Sequence, residues 1–300
     1  MSIWVCGEVL IDELPSGAVV GGGPANTAKA LARLGHEVSF IDGISKDAYG
    51  VKARAELVAD GVDLSLSHSS DLTTATAVVT LAGDGAASYV FKLDKTATFD
   101  FNSSWLPDPS RLKPHALYIG TLATLVQPGA DVLFEWAIAC AEFAPIVFDP
   151  NIRTQVMNDR DKYVAIVEKW VGISSAVKLS DDDFQWLYPG KSPESVAAQW
   201  LQGGVALVVI TRGANGLVGY TSDGAIEVVG EKVNVVDTVG AGDTVGAIIV
   251  QRLITDGLLN LRGDTLKNLL HRAAVAAAIT CSRAGAQPPY AHELREKLGN

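Results

Sequence analysis

Three hundred residues suffice for one large α/β domain or two smaller ones, and 48% hydrophobic with 19% charged residues excludes a disordered chain. A formal charge of −10 argues against a broad nucleic-acid-binding surface, so any anionic ligand needs a local electropositive pocket. No apolar run reaches the ~18 uninterrupted residues of a membrane helix, since Val132–Phe148 is broken by Glu135 and Glu142 and Ala273–Cys281 is too short. Cys6, Cys140 and Cys281 stand far apart, with no CxxC pair and no His/Cys cluster. Neither a disulfide framework nor a structural zinc site is indicated, which fits a reducing compartment.

The chain opens Met-Ser-Ile-Trp-Val-Cys-Gly-Glu, with no basic stretch leading into an apolar block. It reads as a first strand rather than a signal peptide, and a cytoplasmic protein is expected. β-Branched runs predict buried strands at Ile3–Cys6, Val38–Ile41, Ala116–Ile119, Ile146–Phe148 and Leu207–Ile210. Helical spacing predicts helices over Asn26–Leu34, stopped by Gly35, and over Glu194–Leu201 and Gly242–Ile254. Strands alternating with helices imply parallel pairing through right-handed crossovers, hence a layered α/β fold.

Thr74–Leu81 and Ala87–Leu93 break that rhythm, because Ala-Gly-Asp-Gly separates them with no helix between. That is a hairpin pattern. With a short stretch at about 13–20, it is expected to form a small sheet standing off the main domain as a lid (about 13–20 and 72–100). The alternative is an edge hairpin of the main sheet. No repeat, low-complexity segment or linker divides the chain, so a single domain over 1–300 is expected.

The most informative stretch is Asn234-Val-Val-Asp-Thr-Val-Gly-Ala-Gly-Asp-Thr-Val-Gly. A predicted strand, Lys232–Val236, runs into a Gly-Ala-Gly turn that opens a helix. The free N–H groups of a first helical turn favour an anion above them. Asp243 lies in that turn, where a carboxylate of near-normal pKa serves as a base if its geometry is right. The bland alternative is an N-cap Asp after a Gly turn.

Earlier, Gly21-Gly22-Gly23-Pro24-Ala25-Asn26 opens the first predicted helix, and Leu31-Ala-Arg-Leu-Gly35 closes it. It is not a dinucleotide fingerprint, because Asn26 occupies the third glycine position. Gly190-Lys191-Ser192 is no P-loop either, because Gln185 stands where the first glycine belongs.

Asp237-Thr-x-Gly-Ala-Gly-Asp243 resembles the signature of the ribokinase-like (PfkB) carbohydrate kinases, and further segments match in order along the whole chain. The resemblance implies a ribokinase-like three-layer α/β/α sandwich with a small β-sheet lid. It implies Asp243 as catalytic base and Gly240, Ala241 and Gly242 as the anion hole. Val239 departs from the more common Thr near a monovalent-cation (K⁺) site found in some members. The family's Gly-Gly-x-x-x-Asn segment implies sugar contacts from Gly22, Gly23 and Asn26, and its matching aspartate is Asp12. Asp42-Gly43 through Asp47-Ala-Tyr-Gly50 also fits the pattern and is assigned a structural role.

Asp149-Pro-Asn-Ile-Arg153 resembles a fructokinase-like stretch near substrate or transferred phosphate, which makes Arg153 a substrate residue. Ser180-Asp-Asp-Asp183 stands where members carry Asn-x-x-Glu. That implies ATP-side binding by Ser180 and a water-mediated Mg²⁺ role for Asp183, against the alternative of a solvated acidic helix start. Thr211, Gly213 and Gly216 match the nucleotide loop, and Gly285 falls where the adenine pocket closes. Leu93 replaces an Arg that many fructokinase and ketodeoxygluconate kinase sequences carry after the lid aromatics. A neutral sugar, with fructose first, is therefore favoured over an acid one, although Arg153 alone would meet a carboxylate. The rival readings are a ketodeoxygluconate or nucleoside kinase of the same fold, a non-catalytic sugar or nucleotide sensor, and a nicotinamide dehydrogenase. The expected partners are a sugar, ATP and a second copy of the chain, paired through the lid. No nucleic acid and no membrane are expected.

Overall fold

Period-2 patterning decides which face of each strand meets which helices. In β1 (Ile3–Cys6), Ile3 and Val5 join one apolar cluster, while Trp4 and Cys6 join another on the opposite face. The computed structural model describes residues 2–81 and 87–299.

The remaining strands are β2 (Leu10–Leu14), β3 (Gly17–Gly21), β4 (Val38–Ile41), β5 (Gly43–Ser45), β6 (His68–Ser70), β7 (Thr76–Leu81) and β8 (Ala87–Lys92). They continue as β9 (Leu117–Gly120), β10 (Ile146–Asp149), β11 (Ala176–Ser180), β12 (Leu207–Thr211), β13 (Leu217–Thr221) and β14 (Gly224–Val228).

Eight of them form one sheet in the order β14-β13-β12-β11-β10-β9-β1-β4. Pairing is parallel from β12 to β4, as alternating strands and helices require, and antiparallel at the β13–β14 edge. One face is covered by Gly23–Arg33, Ala241–Asp256 and Gly263–Cys281, the other by Gly129–Ala141, Arg160–Val171 and Pro193–Gln202. The result is a three-layer α/β/α sandwich. Trp170 anchors the second layer, edge-on to Phe134 at 5.0 Å and stacked on Phe148 at 5.9 Å. Among the described residues no helix is long and apolar enough to cross a membrane.

The five predicted strands form at their expected places, within a residue or so at each end. The first helix starts earlier than its apolar spacing indicated, at Gly23, because Pro24 supplies a pre-set φ in the first turn. The predicted strand at Lys232–Val236 does not form. Val235 and Val236 are both exposed, and the N–H groups of Val236 and Asp237 donate to Cys281 O at 2.8 and 3.2 Å. With no core face to bury and a helix end taking its donors, a β-branched run has no sheet to join.

The hairpin pairs β7 with β8 in antiparallel register, Thr76 opposite Lys92 through Leu81 opposite Ala87. Its predicted Ala-Gly-Asp-Gly turn lies outside the described residues. The stretch at 13–20 is two strands, β2 and β3, and β2 runs parallel to β7. The second sheet, β3-β2-β7-β8, is therefore separate from the main one rather than an edge of it.

Two aspartates hold the connections between the sheets. Asp42, fully buried, accepts from Val9 N at 2.9 Å and Thr98 Oγ1 at 2.9 Å, one residue on each of two crossings. Asp47 caps Ala48–Ala59 through Gly50 N at 2.8 Å and accepts from Thr74 N at 2.8 Å and Thr74 Oγ1 at 2.6 Å on a third. Burial pushes the Asp47 carboxyl up, but these bonds together outweigh it and hold the group below its usual range. A group so lowered contributes stability above its unfolded pKa and loses it as pH falls. Asp47→Ala removes a cap and a strand tether together, so it should cost about 1–2 kcal/mol in denaturant unfolding at neutral pH. The deficit should shrink in acid.

Candidate active site

The sheet changes winding direction between β1 and β9, and ligands of open α/β sheets settle outside the carboxyl ends at such a point. A cavity of about 470 Å³ lies there. Its walls come from the loops after β1, β9 and β10, from β2 and β8 of the small sheet, and from the first turns of Gly23–Arg33 and Ala241–Asp256.

Asp243 is the third residue of Ala241–Asp256 and is 7% exposed. Gly240 precedes the helix at φ +79°, and a Cβ there would sit 2.7 Å from Ala286 Cβ. Glycine is thus required both by conformation and by close approach. No side chain caps this helix, so the N-cap reading of Asp243 does not describe it. Its Oδ2 accepts from Asn26 Nδ2 at 2.8 Å instead, and Thr27 Oγ1 donates to its carbonyl at 3.2 Å. The first turns of two helices, far apart in sequence, are thereby clamped face to face. Burial pushes the Asp243 carboxyl up to about 6, partly offset by Lys178 and by the Asn26 hydrogen bond. Such a group is ionised at neutral pH and remains basic enough to take a proton.

Asp12, on β2, faces the same cavity; Gly21 makes room for it, because a Cβ there would lie 2.4 Å from Asp12 Oδ2. Burial raises its carboxyl to about 6, opposed by Arg153. Gly22, Gly23, Asn26 and Arg153 also line the cavity. Arg153 is anchored through Nη1 to Asn151 Oδ1 at 2.7 Å and to two backbone carbonyls. Its charge lowers the pKa of Asp12, Asp243 and Glu8 alike, the local positive potential that an acidic chain must supply for an anionic ligand.

Two wall residues carry no role in the sequence reading. Glu8 is 2% exposed, bonded to Thr121 Oγ1 and to Ala123 N, and burial lifts it to about 7. Lys178, on β11, is 4% exposed beside Gly242. The available signal was a charge set inside or just after a buried strand, which is rare without a partner.

The cavity gathers Asp243, Gly240, Gly242 and all five substrate candidates; Ala241, Ser180, Asp183, Thr211, Gly213, Gly216 and Gly285 lie outside its walls. Ser180 and Thr211 are register partners at the carboxyl ends of β11 and β12, along the same rim. Gly213 and Gly216 form the turn after Thr211. Gly285 N donates to Asp237 Oδ2 at 2.9 Å while Asp237 Oδ1 accepts from Val239 N at 3.0 Å, tying the chain around Gly285 to the Gly-Ala-Gly loop.

Ser180 and Asp183 form a reciprocal capping box, and Asp183 Oδ1 also accepts from Ile152 N at 2.9 Å. Each Asp183 oxygen thus takes one backbone N–H and keeps a lone pair. The described residues hold no cluster of three or more metal-ligating acids, histidines or cysteines. That donor set suits a hard cation that keeps its own water shell and leans on phosphates, as Mg²⁺ does.

Residues 17–293 match the model of the pfkB family carbohydrate kinases. The chain is similar to a fructokinase of Rhizobium leguminosarum bv. trifolii, 36% identical over 269 residues that cover 87% of this chain and 82% of that protein. Its structure is similar to a fructokinase with bound ATP from Xylella fastidiosa, with TM-score 0.90 at 25% identity over 100% of this chain and 99% of that one. It is similar again to a fructokinase from Vibrio cholerae O395 in a form with fructose, ADP and calcium ion bound, with TM-score 0.87 at 28% identity over 99% of each chain.

Proposed function

The chain belongs to the pfkB family of carbohydrate kinases, and we propose that it transfers the γ-phosphoryl group of ATP to a primary hydroxyl of fructose, with Asp243 as the base. The observation that carries this is the buried Asp243 carboxylate, held by Asn26 at the amino end of a helix and sharing one cavity with Asp12. The similarity to fructokinases supports the choice of sugar.

In this account Asp12, Gly22, Gly23 and Asn26 hold the sugar hydroxyls, and Asp243 orients one of them and takes its proton. The N–H groups of Gly240 and Gly242 face the charge on the transferred group, while Ala241 N donates to Thr238 O at 3.3 Å. ATP lies along the rim past Ser180, Thr211, Gly213 and Gly216, with Gly285 on its base side. Asp183 would hold Mg²⁺, which would supply neutralising charge for the phosphates. The small sheet acts as a lid over the sugar and limits hydrolysis of ATP by excluding water. Val19 and Val90 on that sheet are 40% and 56% exposed, which favours pairing with a second copy.

One observation favours a second reading. Arg153 reaches the cavity with only Nη1 engaged among the described residues, and a guanidinium suits the carboxylate of a ketodeoxy acid sugar. ADP release from MgATP with fructose, ribose, tagatose, ketodeoxygluconate and adenosine separates the readings. Fructose should give the highest kcat/KM; preference for the acid sugar would overturn that choice while leaving the kinase.

Turnover should also fall in acid with a midpoint near pH 6, where Asp243 and Asp12 take up protons. A profile flat down to pH 5 would show that neither carboxylate is needed ionised.

A further inference from the structure

A buried ammonium is tolerated only where its charge and its donors are met. Lys178 Nζ donates to Asp149 Oδ2 at 2.6 Å, which is its one hydrogen bond among the described residues. Asp149 is fully buried and accepts from Tyr118 Oη at 3.2 Å through the same oxygen. Burial disfavours the ammonium, but Asp149, together with Asp243 and Asp183, outweighs this and raises its pKa. Two of its three N–H donors therefore remain for the cavity that Lys178 lines.

The ammonium lies beside the first turn of Ala241–Asp256. A Cβ on Gly242 would stand 2.9 Å from Lys178 Nζ, so the glycine leaves room for the ammonium next to a helix start that would receive an anion.

We propose that Lys178 is a catalytic residue whose ammonium binds the phosphoryl group in transit, across the cavity wall from the sugar held by Asp12 and Asn26. As the sugar oxygen bonds to phosphorus and the bond to the β-phosphate oxygen breaks, the hydroxyl proton passes to Asp243 and ADP departs. Lys178 keeps its proton and supplies fixed charge to the phosphoryl oxygens, and Asp149 fixes its position. This rests on the reading of Asp243 as the base.

The test compares kcat and KM of wild type, Lys178→Met, Lys178→Met/Asp149→Asn and Asp243→Asn, with thermal melting of each. Lys178→Met strands the Asp149 charge and is expected to unfold more readily, so the double variant, which removes that stranded charge, decides. It is expected to stay folded and lose on the order of 10²–10³-fold in kcat. Its KM for fructose should stay within about three-fold of wild type, as for an interaction made only in the transition state. If the pair merely props the fold, the double variant will turn over at nearly the wild-type rate, and the assignment is overturned. Asp243→Asn separates the two claims: if it is inactive beside an active double variant, the base stands and Lys178 alone is wrong. If Asp243→Asn is itself active, the base reading fails and the proposal falls with it.

Discussion

Asp243→Asn is expected to bind ATP and fructose nearly as wild type does while kcat falls by about 10²–10⁴-fold, the range that a positioned general base supplies. The amide keeps shape and can still accept from Asn26 Nδ2, which bonds the carboxylate at 2.8 Å, so the two helix starts stay clamped. What is lost is the acceptor for the hydroxyl proton. The same substitution should raise thermal stability. Burial lifts the Asp243 carboxyl to about 6, so the folded state disfavours its charge. A group raised in this way contributes stability at low pH and loses it as pH rises through its folded pKa. At neutral pH a neutral amide recovers part of that loss, on the order of 1–3 kcal/mol. Calorimetric binding, steady-state kinetics and melting on one preparation check all three effects. A variant that melts lower and binds neither ligand would mean that the carboxylate serves the fold.

Asp12→Ala is expected to act on the sugar alone. Hydrogen bonds to a charged acceptor are worth about 1.5–3 kcal/mol, so KM for fructose should rise by roughly 10–100-fold with KM for ATP nearly unchanged. The substitution empties a place that Gly21 keeps open, where a Cβ would come within 2.4 Å of Asp12 Oδ2. Loss of ATP affinity instead would put Asp12 in the wrong half of the site.

Much of this layout was legible because it is locally encoded. β1, β4, β9, β10 and β12 show as β-branched runs, and the loop before Asp243 as a Gly-Ala-Gly turn ahead of an apolar helix. Lys232–Val236 misled because it has strand composition without a core face, and only the tertiary context reveals that its donors go to Cys281 O. Lys178 and Glu8 escaped notice for a different reason. Each is a single charge in or beside an apolar strand, and its meaning depends on partners distant in the chain, Asp149 for one and Thr121 for the other. The Asn26–Asp243 contact joins the two recognisable motifs, yet nothing in either sequence segment states that they meet. Ser180-x-x-Asp183 was legible twice over, as a capping box and as a metal-side motif, and each Asp183 oxygen has a lone pair left for the second use.

Phosphorus NMR of the products formed from MgATP and fructose checks the transfer itself. The expected products are ADP and an equal amount of a phosphomonoester whose signal is split by two protons, the mark of a phosphorylated CH₂OH. Inorganic phosphate alone, or a phosphoryl group on a secondary carbon, would contradict that expectation.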